Sequence, residues 1–572
     1  RIDTDVGQVS PGVLFEPVIA ADGGTHVYVA FSAYTTGPET DIHVSVSDDS
    51  GYTFGTPVRV GSTAAGTRVE ALPVIRATSD GNVYLAFISD NPAGDREIRF
   101  THSTDFGANW ESDQVLGTVA QGPGYFTSLD WPAIDMAVLS GGVVYVTWSS
   151  AANVFLARST NGGTSFTIAD VDQDNRGFNR FPRVCAQGSQ VILVWMGADV
   201  AFQDRSVWGI VSTDQGDSWN TSTQLRPESA ARGVDLHTLA CNGANGAIAV
   251  WPDRRGPAAI FELFSSRWDG SLWTPNVVVN EPPGVEHLNP IGTYVGGTSN
   301  FSVVYEDFVG GVYVTRSTNG GASFLPFVRL DAPAPVPAAS STLPRIVTDG
   351  GTNVWVAWLD ESPGLASFVM RYSADSGTTY GAIQRIDRKT PQGGLEELYF
   401  DIGSATPAAA AGTAFFTWSG ERDSLLLDVL VNVHDADDAD RDQSPTGVDC
   451  DDTDATVIAT PSVVTGVTLE KVSGAARIRW DSQAATAGSS SAADIATGAI
   501  ADLKTTGGYS AATCLIAGQL GSSYDDTRPD PGPGAAWYYV MRLRNGCGAG
   551  TYGDSSVSPD PRDDLDTAGP CP

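Results

Sequence analysis

Lysine is almost missing from this 572-residue chain: it occurs only at Lys389, Lys471 and Lys504, a bias of composition with no mechanistic content. Basic side chains number 33 against 67 acidic ones, for a formal net charge of −34. That shortage excludes a partner whose affinity comes from neutralised phosphates, so no nucleic acid is expected. Long apolar runs are lacking too. Val143–Trp148 and Val354–Trp358 are typical, five or six residues long, whereas a membrane helix needs about 20, so no membrane span is expected. The six histidines (His26, His43, His102, His237, His287, His434) include no His-Glu-x-x-His pair, which argues against a zinc hydrolase. Neither a Gly-x-Ser-x-Gly elbow nor a phosphate loop occurs. The chain opens at Arg1 without an apolar leader, so any signal peptide is expected to have been removed.

What is abundant is glycine (63) and proline (33), spread with Ser and Thr between short β-branched and aromatic runs. That composition predicts many short strands joined by tight turns. The length predicts more than one domain. Six cysteines, four of them (Cys450, Cys514, Cys547, Cys571) near the C-terminus, suit disulfides and a secreted, extracellular or cell-surface setting. Cys185 and Cys241 each precede a strand-ending Trp by ten residues. Equivalent positions in successive repeats point the same way, so buried thiols are expected there, with a bridge as the alternative.

An internal repeat organises the first three quarters. The pattern Ser-x-Asp-x-Gly-x-Thr/Ser-aromatic begins at Ser47, Ser103, Ser159, Ser212, Ser266, Ser317 and Ser373. Asn161 and Asn319 replace the Asp in two copies, and Trp268 in the fifth removes its turn chemistry. Ahead of each copy a β-branched run ends in an aromatic residue: Phe31, Phe87, Trp148, Trp195, Trp251, Tyr305, Trp358, and an eighth, Trp418. A Pro-x-Ile/Val start recurs upstream, as at Pro17, Pro73, Pro132, Pro182 and Pro344. Each unit therefore reads as four strands. The last lacks its fourth strand, which residues 1–3 (RID) are expected to supply. The expected fold is all-β: an eight-bladed β-propeller over 1–434, with seven blades as the runner-up, closed by the N-terminal strand.

The motif resembles the Asp box, or BNR repeat, of the sialidase superfamily and its non-sialidase relatives. The resemblance implies that each box is a turn between third and fourth strands, on the rim away from the pocket, and that its Asp is structural. It also implies where function would lie: the opposite mouth, which in a sialidase carries three Arg that clamp a carboxylate, a Tyr–Glu nucleophile pair and an Asp acid. Arg76, Arg183 and Arg345 share one side of their strands and are the candidate clamp, with inter-blade salt bridges as the plainer reading. Arg180-Phe181-Pro182 approaches the family's Arg-Ile-Pro signature in the wrong order. No Tyr–Glu pair is assignable, and the sialidase pocket is usually set in six blades.

Charged groups also follow the strand-ending aromatics: Asp253 and Arg254, Glu306 and Asp307, Asp360 and Glu361. They are ligand-mouth candidates. Paired carboxylates there could act on a glycoside, or could hold loops in place through backbone bonds. Residues 435–460 read as a connector: His434–Asp454 carries nine Asp and one Arg, with Asp438, Asp440, Asp442 and Asp449 at positions 1, 3, 5 and 12 of a calcium loop and Asp451 and Asp454 extending the set. Gln443 stands where an EF-hand has Gly. The run resembles Asp-Cys-Asp-Asp motifs of secreted bacterial proteins and thrombospondin type 3 repeats, which implies bound Ca2+; a metal-free acidic linker is the alternative. Residues 461–572 return to period-two strands, and Trp480 with the late Trp537–Asn545 resembles a fibronectin type III β-sandwich.

These readings predict a secreted, non-catalytic surface or matrix protein. Its partners would be an extracellular glycan, a cell-surface protein or copies of itself. The alternative is a sialidase-like exo-glycoside hydrolase acting on acidic sugars.

Overall fold

The computed structural model describes residues 17–435 and 456–571, apart from 35–38, 62–67, 92, 120–133, 151, 173–176, 199–204, 227–236, 256–259, 280–283, 332–340, 361–366, 387–398, 405–411, 422–426, 458, 554–561, 563–564 and 567–568. The chain divides into two compact units, Arg1–His434 and Asp435–Pro572. Among the described residues the first unit is a succession of antiparallel sheets, seven of four strands and a last one of three, each formed by consecutive strands. Residues 1–3, expected to complete the last sheet, lie outside the described residues.

The first strands of the successive sheets are Val18–Ala21, Glu70–Ala77, Ile134–Leu139, Phe178–Gln187, Thr238–Cys241, His287–Tyr294, Ser341–Thr348 and Tyr399–Ser404. Each packs on the first strand of the next sheet, and Tyr399–Ser404 packs on Val18–Ala21. The first strands thus line a closed circuit, and the unit is a β-propeller. Closure is specific: Ile19 N donates to Asp401 Oδ2 at 3.2 Å, and Phe415 and Val429 of the last sheet share a core with Ile19, Val27 and Phe31 of the first.

Second strands are covered on both faces by neighbouring sheets, so they read as unbroken apolar runs; Gln190–Ala198 is buried at every position. The strand-ending aromatics are the largest pieces of that core, with Trp195, Trp251 and Trp358 fully buried. Trp148 fills the space over Gly117 in the preceding sheet, where a Cβ would fall 2.5 Å from the indole. A side chain at 117 is sterically excluded.

Six of the repeated turns share one hydrogen-bond pattern. In the second, Ser103 Oγ donates to Asp105 Oδ1 (2.8 Å) and accepts from Gly107 N (2.9 Å), while Asp105 Oδ1 accepts from Asn109 N (2.8 Å). Gly107 has φ +82°, which explains the glycine. Because Ser103 is 1% exposed, Ser103→Ala leaves the Gly107 amide without its acceptor. The expected loss is about 1–3 kcal/mol in a denaturant titration. The fifth turn corrects an expectation: its chemistry is not lost but shifted, since Asp269 Oδ1 accepts from Ser271 N and Leu272 N at 3.0 Å each, and Trp268 bridges to Trp273.

Cys185 and Cys241 are a disulfide with Cα atoms 5.9 Å apart, not the buried thiols expected. Residues that point the same way on adjacent first strands converge towards the circuit's centre, which brings them within bridging distance. The second unit has sheets of three and four strands, whose facing residues Ile478, Trp480, Ile495, Met541 and Leu543 form one core: a small β-sandwich. Cys514 and Cys571 are bridged and Cys547 is disulfide-bonded. Cys450 lies outside the described residues. The disulfides fit an oxidising compartment, and among the described residues no helix is long and apolar enough to cross a membrane.

Candidate functional site

In a meander the turns alternate between two ends. The repeated Ser-x-Asp turns join third to fourth strands, so the opposite end carries the turns that follow second strands and the beginnings of first strands. The candidate residues distribute there by register. Arg183 pairs with Val194, Arg345 with Ala357, Asp135 with Thr147 and Asp401 with Thr417, in each case the residue before the strand-ending aromatic. These four therefore stand at one level of the circuit, with Asp135 in the sheet before Arg183 and Arg345 in the sheet before Asp401. Asp135 Oδ2 accepts from Val184 N at 3.0 Å, a bond between adjacent sheets.

Arg76 pairs with Tyr84 and lies two residues further along its strand than that level. Its side chain is 45% exposed and reaches Asp135 at 3.5 Å. Arg345 Nη1 donates to Pro344 O. Arg183 forms no ion pair among the described residues, and its charge adds to burial in pushing His237 down to about 3. The three arginines thus stand on the same side of their strands, as the alternation predicts, but at two depths along them.

Four first strands carry a β-bulge that the sequence did not reveal. The register slips at Ala71/Val74, Arg180/Arg183, Leu288/Ile291 and Thr342/Arg345, and the residue before proline in each, Leu72, Phe181, Asn289 and Leu343, has φ between 50° and 54°. Such φ is strained for these residues and must be held by its surroundings. Glu306 does this for two of them: its carboxylate accepts from Asn289 Nδ2 and, at 2.6 Å, from Leu343 N in the next sheet. Burial raises the Glu306 carboxyl above the usual range, against these hydrogen bonds and the Arg345 charge.

The remaining mouth candidates are also engaged. Asp253 is fully buried between Arg226, whose Nε lies 3.0 Å from Oδ2, and Arg255, whose Nε lies 2.7 Å from it. Arg254 pairs with Glu286 at 3.0 Å and lies over the Phe261 ring at 4.0 Å. Asp307 Oδ1 accepts from Val309 N (3.0 Å) and Gly311 N (2.7 Å), and Oδ2 from the Tyr313 hydroxyl (2.9 Å). Asp360 ends its strand half-buried, and Glu361 lies outside the described residues. So do Asp438, Asp440, Asp442, Asp449, Asp451 and Asp454. Among the described residues no cluster of three or more His, Cys, Asp or Glu could hold a metal.

Sequence reasoning missed Arg226, Glu286 and the tip Phe308-Val309. The last had a signal: two apolar residues in front of Gly310-Gly311, where a hairpin turn is normally polar.

No protein-family model matches the sequence, and no curated protein matches it. Several solved structures are similar. An ulvan lyase of polysaccharide lyase family PL25 is 10% identical over 62% of this chain and 90% of that one, with a TM-score of 0.43. A Hadza microbial sialidase is 12% identical over 73% and 65%, with a TM-score of 0.33. The α-L-arabinanase of Penicillium chrysogenum, complexed with arabinobiose, is 12% identical over 62% and 94%, with a TM-score of 0.34.

Proposed function

We propose that this chain is a secreted, non-catalytic glycan-binding protein of the cell surface or matrix: an eight-bladed Asp-box propeller, an Asp-rich connector that binds Ca2+ through Asp438, Asp440, Asp442 and Asp449, and a fibronectin type III-like sandwich. The observation that carries the reading is the state of the mouth carboxylates. Asp253 is buried against two guanidinium groups, Asp307 is occupied by a hairpin's own amides, and Glu306 braces two strained bulges. Groups so bonded hold a rim rigid for binding, and a general acid or base needs access to a substrate proton.

The alternative, a sialidase-like exo-hydrolase, has one specific observation in its favour: Glu306 is an acid whose proton affinity burial raises, and the charge of Arg345, a candidate clamp residue, acts on it. Incubating the full chain with neutral and sialylated oligosaccharides separates the two. Retention of a glycan without release of free sugar is expected. Steady release by the wild-type protein overturns the non-catalytic reading.

A further inference from the structure

Among the described residues, Phe308 (74%) and Val309 (73%) are the most exposed large apolar side chains. They form the tip of the hairpin between the second and third strands of the sixth sheet, at the mouth end. The tip is rigid. Asp307 bonds two of its amides, Gly310 N donates to Asp307 O at 3.1 Å, Phe308 N donates to Glu286 O at 2.9 Å, and Ser341 N of the next sheet donates to Gly310 O at 2.9 Å. Gly311 is required, since a Cβ there would lie 2.7 Å from the Tyr313 hydroxyl. The chain thus holds the backbone of the turn in place and presents an aromatic ring to water, where it gains little for the fold. Beside it, through Glu286, stands the half-buried Arg254–Glu286 pair.

We infer that Phe308 and Val309 are a stacking platform for pyranose rings of a neutral polysaccharide, with Arg254 and Glu286 bonding the ring hydroxyls. This rests on the glycan-binding reading above and names its ligand class. Three observations select the occupant. A sugar ring has an apolar C–H face bordered by hydroxyls, which matches an aromatic tip beside an ion pair. Two side chains are far too small for a protein partner, which needs about 800 Å2 on each side. A net charge of −34 repels polyanionic glycans and anionic bilayers. Because the backbone of the tip is already hydrogen-bonded, little backbone freedom is lost on binding.

The test is depletion of the full chain from solution by microcrystalline cellulose, chitin and insoluble mannan, beside affinity electrophoresis in polygalacturonate and co-sedimentation with phosphatidylcholine vesicles. The wild type is expected to bind at least one neutral polysaccharide. Phe308→Ala is expected to weaken this roughly tenfold, the scale of one lost aromatic stack, with Phe308→Tyr close to wild type. Thermal melting checks that each variant is folded, which exposure at 308 leads us to expect. Equal binding by wild type and Phe308→Ala overturns the platform and leaves the glycan-binding reading standing. Binding to polygalacturonate or vesicles alone overturns the neutral-polysaccharide assignment. No binding to any polysaccharide overturns both.

Discussion

Asp253→Ala is expected to destabilise the propeller by about 3–5 kcal/mol, the scale of breaking a buried ion pair from one side. The carboxylate is fully buried and Arg226 is 1% exposed, so neither charge can turn to water. Without Asp253, Arg226 loses that carboxylate, retains Arg205 O at 2.9 Å from its Nη1, and is repelled by Arg255 across the space the carboxylate filled. Arg255 is held over the Phe264 ring at 3.9 Å, and burial already lowers its proton affinity against the pull of Asp253. Urea denaturation of Asp253→Ala, Arg226→Met and the Asp253→Ala/Arg226→Met double variant measures the coupling. The double variant is expected to be more stable than Asp253→Ala, because the buried Arg226 charge is gone and only Arg255, 17% exposed, still lacks its anion. Equal destabilisation in single and double variants would show that packing, not charge, dominates the site.

That cluster illustrates what sequence could and could not disclose. The repeat was legible because its turn depends on particular side chains: Ser, Asp or Asn, and Gly at fixed spacing each bond or permit one feature of the backbone. Second strands were legible because cover on both faces demands an unbroken apolar run. Arg226, by contrast, lies after a two-residue fourth strand and finds Asp253 27 residues later, a pairing that no local pattern encodes.

The bulges were hidden for another reason. A residue before proline is expected in the extended region, whereas Leu72, Phe181, Asn289 and Leu343 all have positive φ. Each bulge adds one residue at the same place before its proline, so side and depth beyond it both follow from the spacing: Arg76 stands three residues after Pro73, and Arg183 and Arg345 one after Pro182 and Pro344. The same geometry explains Glu306. Its partners are an amide exposed by the bulge in the next sheet and an Asn side chain at the bulge in its own. A carboxylate that reads as an acid in sequence serves in the fold as a brace between sheets.

Acid is expected to unfold the propeller before its ordinary carboxylates titrate. Burial holds His43 and His287 down to about 4 and His237 to about 3, against about 6.5 in an unfolded chain. Since the folded values are depressed, these histidines stay neutral in the fold while the unfolded chain takes up protons. Their contribution is complete above pH 6.5 and is lost as pH falls from there towards 4. Three protons correspond to a slope of at most about 4 kcal/mol per pH unit. Glu306, Asp90 and Asp170 oppose it, because burial raises their carboxyls and favours the protonated fold. Asp214 and Asp375, held at about 2 by turn hydrogen bonds, weaken the fold only below the usual carboxylate range. The measurement is the urea midpoint from pH 7 to 4, and a flat midpoint between 6.5 and 4.5 would refute the account. His287 isolates one proton: it is fully buried, neither ring nitrogen has a hydrogen-bond partner among the described residues, and the Tyr305 and Tyr313 rings lie edge-on at 5.4 and 6.2 Å. His287→Phe fits those walls, so stability at pH 7 is expected to hold while the acid slope falls by about 1.4 kcal/mol per pH unit.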